Sequence, residues 1–201
     1  MDRFSFFFAF YGLILGLAAT EVLGGFARFV RAQAVGRIDA RTALLALLVF
    51  VSICATWVDA WNTLQGTSID FAGLWVPVLI ATSYYLAATV VFPTDHADLE
   101  NLGTYYAERK RFVLAMLIAA DILLHVTYFD SFAASLRNHP LRFWGYLVPL
   151  TIMIDGAMVA LMFVRGRRVT LALLAALIFL LLLPYWHGTL GREIEQLLGG
   201  G

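Results

Sequence analysis

Six stretches of this chain run for about 20 residues with almost no charge, the length an α-helix rising about 1.5 Å per residue needs to cross a hydrocarbon layer about 30 Å thick. They lie near residues 4–29, 42–63, 71–92, 112–129, 143–164 and 169–187. A water-soluble globule is excluded. With 61% hydrophobic residues, 14% charged and a mean hydropathy of +0.81, too little polar surface remains to cover such a globule. The runs leave no stretch for a soluble domain, so residues 1–201 read as one all-α polytopic membrane domain of six transmembrane helices. The longest gap, 93–111, is polar and predicts a short surface helix over 99–110, whereas the gap at 165–168 forces a tight hairpin. Met1-Asp2-Arg3 gives no net positive leader and no small-residue cleavage site follows, so the first run reads as a span and not a signal peptide.

Arginine and lysine accumulate in cytoplasmic loops. Ten of them (Arg28, Arg31, Arg37, Arg41, Arg109, Lys110, Arg111, Arg165, Arg167 and Arg168) fall on one side, against Arg3, Arg137, Arg142 and Arg192 on the other. The expected topology is a multi-pass protein of the cell inner membrane with both termini outside. Trp57, Trp61, Trp75, Trp144 and Trp186 all fall at span ends on that outer side, where amphipathic rings settle. Pro93/His96 and Pro184/His187 form a Pro-x-x-His pair after the third and sixth runs, as two inverted halves would.

Charge balance narrows the partners. Fourteen bases offset fourteen acids, so there is no basic excess for nucleic acid. The partners expected are the bilayer, further copies of the chain or a larger membrane complex, and protons or monovalent cations. A single cysteine, Cys54, excludes an intramolecular disulfide and a thiolate metal cage.

Within the first run, Gly12, Gly16, Thr20 and Gly24 recur every four residues, a small-residue ladder that lets a second backbone come close, within the chain or between copies. Glu21 lies about 40–60° around the helix from Gly24 and Gly25, which points it toward protein. The second run aligns Ser52, Thr56, Asp59 and Thr63 within a stripe of about 60°. Asp121, His125 and Tyr128 repeat the pattern in the fourth run, as do Thr151, Asp155 and Met158 in the fifth.

Depth follows from the helical rise: Asp59 sits about 10 Å outward, His125 about 6 Å outward, Asp121 near the centre, Asp155 slightly inward and Glu21 about 8 Å inward. Together they form a ladder over about 18 Å. An ionised Asp at mid-membrane costs about 2.5–3.5 kcal/mol, and no Lys or Arg lies mid-span to neutralise it. These carboxyls must therefore be protonated, hydrogen-bonded to Ser, Thr and Tyr, hydrated or bound to a cation. Anion transport is disfavoured, and a proton- or cation-conducting channel or ion-coupled transporter using this ladder is the leading expectation. Asp121 and His125, four residues apart, also have the spacing to share a proton or a metal ion.

Two other readings stand beside it. The acids can be structural glue between helices in a non-catalytic accessory subunit of a larger complex. His125 and His187 both lie outward and are suited as axial haem ligands in a redox protein, the one cofactor for which the sequence offers candidates. Asp95, His96, Asp98 and Glu100 read as a solvated loop. His-Glu-x-x-His, Gly-x-Ser-x-Gly, P-loop and Rossmann patterns are absent, so enzyme activity has no positive signal. Lys110, the only lysine, is expected in a loop, which leaves no intramembrane lysine for a retinal Schiff base.

Tyr84-Tyr85-Leu86-Ala87-Ala88 with Phe92-Pro93, Tyr105-Tyr106 and Arg109-Lys110-Arg111 resembles segments of uncharacterised small multi-span bacterial integral membrane proteins. So does Phe10-Tyr11-Gly12-Leu13-Ile14-Leu15-Gly16 with Glu21 and Arg28. The resemblance covers about the first half of the chain and implies a multi-span membrane protein, with no activity or ligand attached.

Overall fold

The computed structural model describes the backbone of residues 3–32, 39–64, 74–93 and 102–198, and their side chains up to residue 185 apart from residues 3, 29, 32 and 142. Among the described residues all regular structure is helical. The helices are α1 (Arg3–Ala32), α2 (Ala40–Leu64), α3 (Trp75–Val91), α4 (Leu102–Thr127), α5 (Phe129–Asn138), α6 (Val148–Phe163) and α7 (Arg167–Leu198). A single turn at Pro140–Arg142 and a π-helical turn at Phe143–Leu147 lead into α6.

Four helical stretches are long and apolar enough to cross a membrane: Phe4–Arg28, Ala40–Leu64, Phe143–Phe163 and Arg167–Tyr185. The bent α4–α5 pair makes a fifth if counted as one span, and α3 is a shorter apolar helix of 17 residues. The expected start of the third span, residues 71–73, lies outside the described residues.

Local chemistry explains the boundaries. Asp39 caps α2, its Oδ1 accepting the Arg41 backbone N–H at 3.1 Å while the Arg41 guanidinium closes on the same carboxylate. Between α4 and α5 the axis bends by 61° at Tyr128, just after Thr127 Oγ1 donates back to the Leu123 carbonyl at 2.9 Å, a bond that bends helices. His139 leaves helical geometry because Pro140 follows it. The turn between α6 and α7 spans only Val164–Gly166, the tight hairpin that the short gap requires.

Three expectations are corrected. The surface helix over 99–110 is not separate: from Leu102 onward it is the first part of α4, running unbroken into the fourth apolar run because nothing between Glu108 and Phe112 breaks helix. Lys110 is therefore not in a loop. It is buried in α4, its Nζ donating to the carbonyls of Val164 and of Leu161, the latter at 3.2 Å, at the C-terminal end of α6. The two Pro-x-x-His motifs are not equivalent, since Pro93 follows the end of α3 whereas Pro184 lies inside α7.

The core begins with the stripe Phe4, Phe7, Tyr11, Leu15, Ala18 and Val22, spaced by three and four residues, which turns α1 toward α3 and α2. α3 lies between α1 and α4, while α2 packs chiefly on α7, and α6 on α7 and α4. At mid-height Leu48, Leu114, Leu161, Leu174 and Leu177, one or two from each of α2, α4, α6 and α7, are fully buried together.

The small-residue ladder is only partly a packing face. Gly12 lies under Trp57, where an added Cβ would come 3.2 Å from the ring, but one at Gly16 would meet nothing within 4 Å. Thr20 is exposed, with its hydroxyl bonded to the Gly16 carbonyl, and a Cβ at Gly24 would touch only Arg28 of its own helix. The close approach is at Gly25, where a Cβ would stand 2.1 Å from the Phe92 ring. Large side chains on the Tyr11–Val22 face, not the glycines, fill the contact with α3.

Candidate functional site

α2, α3, α4, α6 and α7 enclose a cavity of about 670 Å³ at the end of the bundle where α2 and α4 finish and α6 begins. Its rim carries exposed Val58, Asn62 and Pro184. The same end carries Trp57, Trp61, Trp75 and Trp144, all partly exposed, with Trp57 and Trp61 against Phe8 of α1.

The polar stripe of α2 faces this cavity as its periodicity requires. Ser52, Thr56 and Asp59 line it, Ser52 donating to the Leu48 carbonyl at 2.9 Å and Thr56 hydrogen-bonded to the Tyr84 hydroxyl at 2.8 Å. Tyr185 of α7 hydrogen-bonds the Asp59 carboxyl and donates to the Ala55 carbonyl at 3.2 Å. One hydroxyl proton serves one acceptor at a time. When Asp59 is ionised it accepts a hydrogen bond from the Tyr185 O–H; when Asp59 is protonated it donates to Tyr185, which then holds Ala55. Tyr11 and Tyr128 also stand close enough to Asp59 to feel its charge.

Across the cavity, Asp121 of α4 is hydrogen-bonded through its carboxyl to Asp155 of α6. His125 Nδ1 lies 3.1 Å from Asp121 Oδ2 and 2.8 Å from the Asp121 carbonyl, and its ring stacks on Phe132 of α5 at 5.2 Å. Histidine, aspartic pair and cavity thus form one connected polar set.

Pro184 has no N–H to give the Leu180 carbonyl, and both residues line the cavity. Below the cavity the aliphatic layer of Leu48, Leu114, Leu161, Leu174 and Leu177 closes the bundle.

The structure therefore brings together Asp59, Asp121, His125 and Asp155, with Ser52, Thr56 and Tyr128. Of these, Ser52, Thr56, Asp59 and Asp121 line the cavity, while His125 and Asp155 stand beside Asp121 and Tyr128 near Asp59; half-buried Glu21 on α1 and half-buried Thr151 near the start of α6 neither line the cavity nor interact with these acids. The described residues contain no group of three His, Cys, Asp or Glu suited to a metal. The side chain of His187, the second haem candidate, lies outside the described residues.

Sequence reading missed Tyr11, Tyr84 and Tyr185. Their signal was present: Tyr11 and Tyr84 continue the buried stripes of their helices, and Tyr185 follows a proline that breaks an apolar run. No protein-family model matches the chain, and no similar curated protein or solved structure is found.

Proposed function

We propose that this chain is a membrane carrier that takes up a proton or monovalent cation at the Asp59–Asp121 cavity, beside Asp155. The observation that carries this reading is one cavity lined by two carboxyls, Asp59 and Asp121, and by Tyr84 and Tyr185, with His125 and Asp155 beside Asp121, above a buried aliphatic layer. An open channel would need polar groups through that layer; a carrier needs one loaded cavity and a change of access. In this scheme a proton taken up at Asp121 and Asp155 exchanges with water through His125, and the Asp59–Tyr185 pair relays it toward the rim. A monovalent cation would instead take the Asp59 or Asp121 carboxylate oxygens, with water completing its shell.

The arrangement proposed in the membrane is six crossings, with α3 completing the set, in the cell inner membrane. The end carrying Arg41, Lys110, Arg111 and Arg165 faces the cytoplasm and the tryptophan end faces outward, which places both termini outside. The resemblance to small multi-span bacterial membrane proteins accords with this arrangement.

The test is proton flux into liposomes holding the purified protein and a pH-sensitive dye, driven by a potassium diffusion potential. Wild type is expected to exceed empty liposomes, and Asp121→Asn to lose at least about tenfold of that flux, equivalent to about 1.4 kcal/mol. Unchanged flux in Asp121→Asn overturns the assignment, and absence of wild-type flux with protons, sodium and potassium alike overturns the carrier.

A second reading, an accessory subunit of a larger complex, is favoured by the open face of α1, where Gly16, Thr20 and Gly24 lie uncovered beside exposed Leu13, Leu17 and Leu23. It predicts copurification with a partner that Gly16→Leu abolishes.

A further inference from the structure

A second cavity, of about 430 Å³, lies at the opposite end of the bundle, lined by Arg41, Tyr106, Lys110, Arg111, Arg165 and Thr170. We infer that it binds a phosphate group, either the headgroup of an anionic lipid or free phosphate.

The charges are unbalanced. Arg41, Arg111 and Arg165 all stand near enough to repel the Lys110 ammonium. Asp39, a carboxylate beside them, is already engaged by Arg41 Nε and Nη2 at 3.0 and 2.8 Å. Cations crowded at the edge of an apolar bundle repel one another unless an anion joins them. Basic pockets between transmembrane helices on the cytoplasmic side are where lipid phosphates settle.

The donors also fit in number and direction. Lys110 gives two of its three N–H groups to the Leu161 and Val164 carbonyls and keeps one. Arg111 uses Nε on the Met162 carbonyl at 3.3 Å, which leaves its terminal amino groups, and exposed Arg165 makes no hydrogen bond or ion pair with the described residues. Tyr106 is 3% exposed, and its buried hydroxyl has no hydrogen-bond partner among the described residues. Donors from α4 and from the α6–α7 turn converge from different directions, which suits a tetrahedral anion with three or four acceptor oxygens better than a planar carboxylate. Met162, Phe163 and Val164 complete the wall, and Phe163, 69% exposed, offers an apolar surface for an acyl chain beside the charged end.

The experiment is thermal unfolding of the purified full chain in neutral detergent, with short-chain phosphatidylglycerol or sodium phosphate added. Short-chain phosphatidylcholine and sodium chloride at matched ionic strength are the controls. Well above Kd, the bound species is expected to raise Tm by about 5 °C or more. A rise with phosphatidylglycerol alone assigns the site to a lipid headgroup; a rise with phosphate as well assigns it to the free anion. The rise should fall by more than half in Arg111→Gln/Arg165→Gln, and measurably in Arg165→Gln alone, whose side chain has no described contact to lose. No rise beyond the controls overturns the proposal, as does a rise of full size in both variants.

Discussion

The two ends of this bundle use the same four helices, α2, α4, α6 and α7, for opposite purposes. At the tryptophan end they line a cavity with carboxyls and phenols; at the other they line one with guanidinium groups and an ammonium. Between the two cavities lies an aliphatic layer about one to three helical turns thick, from Met158 to Met162 on α6 and from Arg41 to Ser52 on α2. The acids stand inside the apolar runs, while the bases flank them. Acids so placed are not neutralised by the bases of their own chain, so they pair with one another, with His125 and with tyrosines. The two charged regions can then hold different occupants, a cation or proton at one and an anion at the other.

Breaking the layer between them should have the largest effect. Leu177→Ala removes a fully buried side chain, and is expected to lower unfolding free energy by about 2–5 kcal/mol. Denaturant unfolding in detergent measures this. A loss below about 1 kcal/mol would mean that the layer is loosely packed.

Lys110→Met leaves the Leu161 and Val164 carbonyls without their donor and should cost about 1–3 kcal/mol of stability. Proton flux per folded molecule should stay within about twofold of wild type, since the change lies across the layer from the acids. Flux lost with Lys110 would couple the two ends.

Within the acid cavity, Asp59→Asn is expected to reduce flux by at least about tenfold, about 1.4 kcal/mol of barrier. Tyr185→Phe removes one hydrogen bond, about 1 kcal/mol or about fivefold, and so ranks below it. The reverse order would make the phenol, not the carboxyl, the principal carrier group.

The smallest effect is expected at Gly16. Its added side chain meets open space, so Gly16→Leu should change monomer stability by no more than about 0.5 kcal/mol, whereas Gly25→Ala, pressed against Phe92, should lose about 1–3 kcal/mol. Paired melting curves decide between the two faces of α1.

How legible each feature was follows from the range of the interaction behind it. The stripe Ser52, Thr56 and Asp59 was readable because 100° per residue places them together whatever surrounds them. The i,i+4 pair Asp121 and His125 was readable for the same reason. Depth alone placed Glu21 on a ladder with the other acids, but depth carries no information about which helices are neighbours, and the cavity is built without α1. Small size marked Gly16 and Gly24 as a contact face, yet the contact depends on what the neighbour presents, and Phe92 reaches Gly25 instead.

By itself, the sequence determined the helical class, the membrane-length runs, the face of each helix that carries its acid, and the separation of acidic from basic ends. All of these depend on local periodicity and on the aversion of charge to hydrocarbon. Only the tertiary structure decided that Asp121 meets Asp155, that Tyr84 and Tyr185 complete the cavity, and that Lys110 caps a helix 51 residues away in the chain. Those pairings come from how helices dock, and docking is set by shape across the interface between helices, which no single helix's pattern contains.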